Sequence, residues 1–188
     1  YASAGVLSIE TEKPHFENER NSAFRVQMRG GSFGYVSPSI RWWQKAGSRT
    51  SFSLNGNYMR GDGNYPFTLV NGKYVTEEKR NNSAIYTYQI EPTLFHTFKD
   101  SSNLELKAYY FYSKRGLPGS VTLYNPISDE TLWDENVFIQ TRYKKDFSQK
   151  WSLQAQAKYN HGWNKYEDKG NEYADGLYRA VHRQDEYY

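Results

Sequence analysis

The feature that most constrains this chain is a strict two-residue alternation of apolar and polar side chains, sustained over about ten residues at a time and repeated in several segments. In 50–60, Phe52, Leu54, Gly56 and Tyr58 fall on one face, and Ser51, Ser53, Asn55 and Asn57 on the other. In 104–113, Leu104, Leu106, Ala108, Tyr110 and Tyr112 oppose Glu105, Lys107, Tyr109 and Phe111. Period two is the geometry of an extended strand, whose successive side chains point to opposite faces. A chain patterned in this way builds an all-β fold.

The same alternation recurs at 23–30 (Phe24, Val26, Met28 against Arg25, Gln27, Arg29) and at 35–45 (Val36, Pro38, Ile40, Trp42 against Ser37, Ser39, Arg41). It returns at 83–98, 136–147 and 151–162, and a further strand is expected from Val181. Pro38 removes a ladder donor, so a bulge or irregularity is expected there. The links are unequal. Gly31-Ser32-Phe33-Gly34, Ala46–Arg49, Lys99–Asn103 and Ser148–Lys150 are tight, polar turns, whereas 61–82, 114–135 and 163–180 read as long loops. Short turns alternating with long loops match the stringing of an outer-membrane β-barrel, as do strands longer than the five or six residues common in soluble sheets.

Composition fits both a membrane barrel and a Tyr-rich soluble β-protein. Mean hydropathy is −0.93. No apolar run approaches the roughly 20 residues of a helical span, which excludes transmembrane helices but not strands, of which only every second residue faces lipid. Aromatic residues make up 18% of the chain, Tyr alone supplying 18 positions. An apolar ring with a polar tip suits a water–hydrocarbon boundary, and aromatics gather at strand ends (Tyr58, Phe98, Tyr112, Phe147, Trp151) as an interfacial girdle would require. With no cysteine there is no disulfide framework or thiol chemistry. A net charge of +3, interspersed rather than clustered, argues against a nucleic-acid partner.

Three short motifs add a resemblance. Ala4-Gly5-Val6-Leu7-Ser8-Ile9-Glu10-Thr11 resembles the last plug strand of TonB-dependent outer-membrane transporters, Gly31-Ser32-Phe33-Gly34 their first barrel turn, and Arg115-Gly116-Leu117-Pro118-Gly119 a motif after an early barrel strand. The resemblance covers essentially the whole chain. It implies that 1–20 end a plug domain and its linker, and that 21–188 form the N-terminal part of an antiparallel, up-and-down transmembrane barrel, cut before completion. That part would supply about seven to eight strands of a plugged barrel of about 22. The implied setting is the outer membrane of a Gram-negative bacterium. The implied function is energy-coupled uptake of a scarce, bulky ligand such as cobalamin, a ferric siderophore or a glycan. Partners would be outer-membrane lipid, the protein's own plug and, through an N-terminal region outside this sequence, TonB. A soluble carbohydrate-binding sandwich and a porin- or adhesin-type barrel stay open as alternatives, and an isolated piece would self-associate through its sheet edges.

The long loops would face outward, which makes Tyr65, Phe67, Tyr74, Tyr124 and Trp133 the candidate ligand contacts, since aromatic loop tips offer large area at low entropy cost. Girdle or loop-core roles are the plainer alternative for each. Asp62, Asp129, Asp134 and Asp168 are candidate Ca²⁺ ligands in these loops, without the spacing of a dedicated cage. Enzymatic chemistry is not expected: His15, His96, His161 and His182 lack metal-ligand spacing, and there is no nucleophile elbow or phosphate-cradling glycine loop.

Overall fold

The computed structural model describes residues 16, 21–119, 128–170 and 176–188. The expected strand at 5–12 and nearly all of the expected plug segment lie outside them. Ten strands form: β1 (Ser22–Gly30), β2 (Val36–Lys45), β3 (Thr50–Gly61), β4 (Pro66–Asn71), β5 (Tyr74–Lys79), β6 (Ile85–Thr97), β7 (Asn103–Leu117), β8 (Glu130–Asp146), β9 (Ser152–Asp168) and β10 (Tyr178–Tyr187). Eight of them make one antiparallel meander in the order β1-β2-β3-β6-β7-β8-β9-β10, and β4 and β5 form a separate hairpin. The sheet does not close: β1 pairs only with β2, and β10 only with β9.

Register carries the alternation across every strand. Val26 faces Ile40, Ile40 faces Gly56, Gly56 faces Ile90 and Ile90 faces Tyr110. Ala108 then faces Ile139, and Ile139 faces Tyr159. Through the middle of the sheet this face is therefore apolar, and its residues are open: Val26 is 65% exposed, Leu106 42%, Ile139 51% and Leu153 47%. Of the buried residues, Ser37, Ser53, Thr93, Phe95 and Ser113 lie on the other, mostly polar face, whereas Ser102 sits in the 98–102 turn and Glu167 near the end of β9 on the first face. Phe95 is the sole buried hydrophobic residue among those described. A water-soluble sheet has the opposite arrangement, with its apolar side covered.

Pro38, where an irregularity is expected, and Pro92 both interrupt the ladder without shifting it. Between β2 and β3, pairing jumps from Val36↔Arg60 to Ser39↔Asn57, skipping Ser37 and Pro38. Between β6 and β7 it jumps from Ile90↔Tyr110 to Thr93↔Lys107 around Pro92. The register sum is unchanged across each gap, so the irregularity at Pro38 is a missing rung and not a bulge.

All three expected long loops need correction. The 61–82 loop holds the β4–β5 hairpin, closed by Gly72-Lys73 with Gly72 at φ +60°, a conformation glycine takes at the first position of a tight hairpin turn. The 114–135 loop shrinks because β7 runs to Leu117 and β8 starts at Glu130. The 163–180 loop shrinks because β9 runs to Asp168 and β10 starts at Tyr178. Residues 46–49, 98–102 and 147–151 connect strands at the opposite end.

The 98–102 turn is held by one carboxylate. Asp100 Oδ1 accepts from the Ser102 amide (3.2 Å) and hydroxyl (2.7 Å), and Oδ2 accepts from Lys145 Nζ at 2.7 Å. The lysine ammonium, followed by the Ser102 donors, holds the Asp100 carboxyl far below the usual carboxylate range. A lowered folded value means the contribution is complete above the unfolded value near 4 and fades as pH falls through and below it. After correction for the intrinsic, base-catalysed rate, amide exchange in this turn should accelerate on going from pH 6 to pH 3. Asp100→Asn, which keeps the acceptor for the Ser102 donors, should remove that pH dependence. Asp100→Ala should give fast exchange at both pH values. Equal acceleration in wild type and Asp100→Asn would refute this assignment.

Candidate functional site

The apolar face is banded along the strands. Phe98, Phe147 and Trp151 stand at the tight-turn end, exposed. Across the middle lie Val26, Ile40, Ile90, Leu106, Ala108 and Ile139. Toward the long-loop end comes a tier of tyrosines: Tyr88 stacks on Tyr112 at 4.8 Å, and Tyr159 meets Tyr187 at 5.1 Å. From Leu104 to Tyr112 the chain rises roughly 27 Å, at about 3.3 Å per residue. A tilt near 40° turns that into about 20 Å of height, close to the apolar band of an outer-membrane barrel.

Beyond the tyrosines the same face turns charged, with Lys114, Glu135, Lys165, Asp185, Arg183 and Arg179. Here neighbours bond to one another instead of to a core. Arg179 and Lys165 both pair with Glu167, at 3.0 and 2.8 Å, and His161 meets Asp185 at 2.8 Å. Trp133 lies between two lysines, with Lys114 Nζ 5.3 Å and Lys165 Nζ 4.2 Å from its ring.

The long-loop end gathers some of the expected aromatic contacts. Tyr65 stands just before β4 and Phe67 within it; Tyr65 packs edge-on to Phe33 at 6.1 Å and lies 6.3 Å from Phe67. The site is fixed by backbone. Phe33 O accepts from Asp62 N at 2.8 Å, and Arg80 N donates to Tyr65 O at 3.0 Å, closing the hairpin base. Gly34 sits at φ +70°, a conformation that other residues adopt only with strain, and a Cβ there would displace the Asp62 carboxylate. Sequence reading left Phe33 out of the set, although it occupies the Gly-Ser-Phe-Gly turn beside which the hairpin folds.

The other candidates do not join this cluster. Tyr74 is on β5, 74% exposed. Trp133 is on strand β8, which corrects its assignment to a loop: both faces are polar here, so the alternation that marks a strand fades. Tyr124 lies outside the described residues. Of the acidic candidates, Asp62 pairs with Arg60 and Asp134 with Arg115, each at 3.1 Å, while Asp129 and Asp168 come near each other beside Gly170. No three metal-ligating side chains converge among the described residues.

The polar face has its own concentration of charge. Lys107 pairs with Glu91 at 3.3 Å, and Asn55 Nδ2 donates to Glu91 at 3.1 Å. Tyr109 stacks on Phe138 at 4.7 Å, with Lys158 Nζ 4.6 Å from the Phe138 ring. Across β1–β3 the face carries Arg25, Arg29 and Arg41 along a groove of about 290 Å³.

No family model matches the chain, and no curated protein shows significant similarity to it. The resemblance to TonB-dependent transporters rests on the three motifs in the sequence.

Proposed function

We propose that this chain forms part of the wall of a TonB-dependent outer-membrane receptor, taking up a scarce, bulky ligand by energy coupling. One observation carries the reading: the continuous apolar face is the uncovered face, bounded by aromatics at both ends and by charge beyond them. Lipid is the solvent for which such a face is suited. The two open edges fit the same reading, because unpaired backbone groups are not tolerated in hydrocarbon and further strands must complete the wall. The hairpin and its aromatic cluster then stand at the outward end, where ligand is captured.

The test uses cells carrying the intact gene, supplied with labelled cobalamin, ferric siderophores and oligosaccharides. Accumulation of one of these that disappears when TonB is deleted supports the reading. Tyr65→Ala or Phe67→Ala should weaken capture of that ligand about tenfold, the usual cost of losing an aromatic anchor. Uptake indifferent to TonB would favour a porin-type barrel, and a detergent-free soluble monomer would exclude the membrane wall altogether.

A further inference from the structure

The groove on the polar face is lined mainly by arginine, amide and hydroxyl side chains. Its lining includes Arg25, Arg29, Arg41, Gln27, Asn57 and Gln89, and no carboxylate contributes to it. Arg25 and Arg41 lie directly opposite each other in the β1–β2 ladder. Like charges in that position are destabilising. None of the three arginines has an ion-pair partner among the described residues. The nearby acid Glu91, on β6, is engaged by Lys107 and Asn55.

One arginine is held in place in advance. Arg41 Nε donates to Asn55 Oδ1 at 2.9 Å, and its guanidinium carbon is 5.6 Å from the centre of the Trp43 ring. The remaining nitrogens of the fork are left to engage a ligand. A planar guanidinium with fixed orientation matches the paired oxygens of a carboxylate or phosphate. Arg29 stands four residues further along the same face of β1, roughly 13 Å by strand rise. The cradle thus has two cationic stations, one double and one single.

We propose that this cradle binds a small polyanion bearing at least two carboxylate or phosphate groups, with one group held by the Arg25–Arg41 pair and another by Arg29. Neutralising the opposed arginines relieves their repulsion, so binding and local order of β1–β2 rise together. The inference deepens the proposed function by naming the chemistry the polar side accepts, and it rests on that reading only for the compartment from which the anion arrives.

The experiment is calorimetric titration of the protein in detergent micelles with tripolyphosphate and, separately, citrate, at low and at moderate salt. The two probes distinguish phosphate from carboxylate as the preferred group. The expected result is salt-sensitive binding of at least one probe. It should weaken tenfold or more in Arg25→Gln/Arg41→Gln and several-fold in Arg29→Gln. Arg25→Lys/Arg41→Lys, which keeps charge but loses the fork, should bind with intermediate affinity. No binding of either probe, or binding unchanged by the double glutamine substitution, overturns the proposal. Heat-dependent gel mobility of the same samples reports the membrane-barrel fold separately. Its absence would sink the receptor reading while calorimetry still decides the cradle.

Discussion

Arginine in place of Ile139 should keep this protein from assembling in a membrane, whereas glutamate at the adjacent Gln140 should leave assembly intact. Ile139 projects from the middle of the apolar face, 51% exposed, between Ala108 and Tyr159. A cation at mid-height on a lipid-facing strand costs about 2–4 kcal/mol, a large share of a domain's total stability. Gln140 points the other way, between Lys107 and Lys158, where a carboxylate gains two cationic neighbours. The readout is the yield of heat-modifiable protein in the outer-membrane fraction, with urea unfolding in lipid vesicles as a second measure. On a sheet that faces water the penalty at Ile139 disappears, because an exposed isoleucine loses nothing by becoming charged. Normal assembly of Ile139→Arg would therefore refute the lipid-facing assignment at its centre.

The second large effect is expected at Gly116. A side chain there would run into the backbone carbonyl of Asn82. That residue has little freedom to retreat. Its backbone is at φ +48°, and its side-chain amide donates to Leu117 O at 3.1 Å and Glu130 O at 2.6 Å. Asn82 thereby ties the segment after the hairpin to the ends of both β7 and β8. Gly116→Ala should cost about 1–3 kcal/mol through forced displacement and should loosen all three segments together. Gly162 on β9 supplies the comparison: its nearest neighbours to an added Cβ are 4.0 Å away. Gly162→Ala should be neutral or stabilising by about 0.5–1 kcal/mol, since alanine costs less backbone entropy than glycine in a strand. Urea midpoints for the two variants test the pair, and equal midpoints would discard the Asn82 clamp.

What could be read from the sequence follows from what burial and solvent imprint on it. Strands with an apolar face and a polar face carry a period of two, so the faces of β3, β7 and β9 were legible residue by residue. Above the tyrosine tier that imprint fades. In β8, Trp133 and Glu135 share one face while Leu132 and Asp134 share the other, so neither side is uniformly apolar. Ladder hydrogen bonds and pairs such as Arg115–Asp134 and Arg179–Glu167 hold this region, and such pairs become visible only once register is known. The β4–β5 hairpin left a signal, Asn71-Gly72 between Phe67, Leu69 and Val75, that a loop reading passed over. Tyr65 and Phe67 were found from aromatic content, but their packing on Phe33 depends on backbone contacts 30 residues away in sequence. Arg25, Arg29 and Arg41 were each placed on the polar face from periodicity. Their convergence needed the β1–β2 pairing.

The long ladder of β8 and β9 carries a mechanical consequence. From Tyr159 to Asp168 the paired backbone continues for nine more residues, roughly 30 Å along the strand. With β7 and β10 bonded alongside for much of that length, the projection behaves as a stiff palisade, not as tethers that collapse and re-extend. A visitor from the medium would meet it at a constant height and orientation, and the paired ends of β9 and β10, at Asp168 and Tyr178, would offer it a fixed surface to grip.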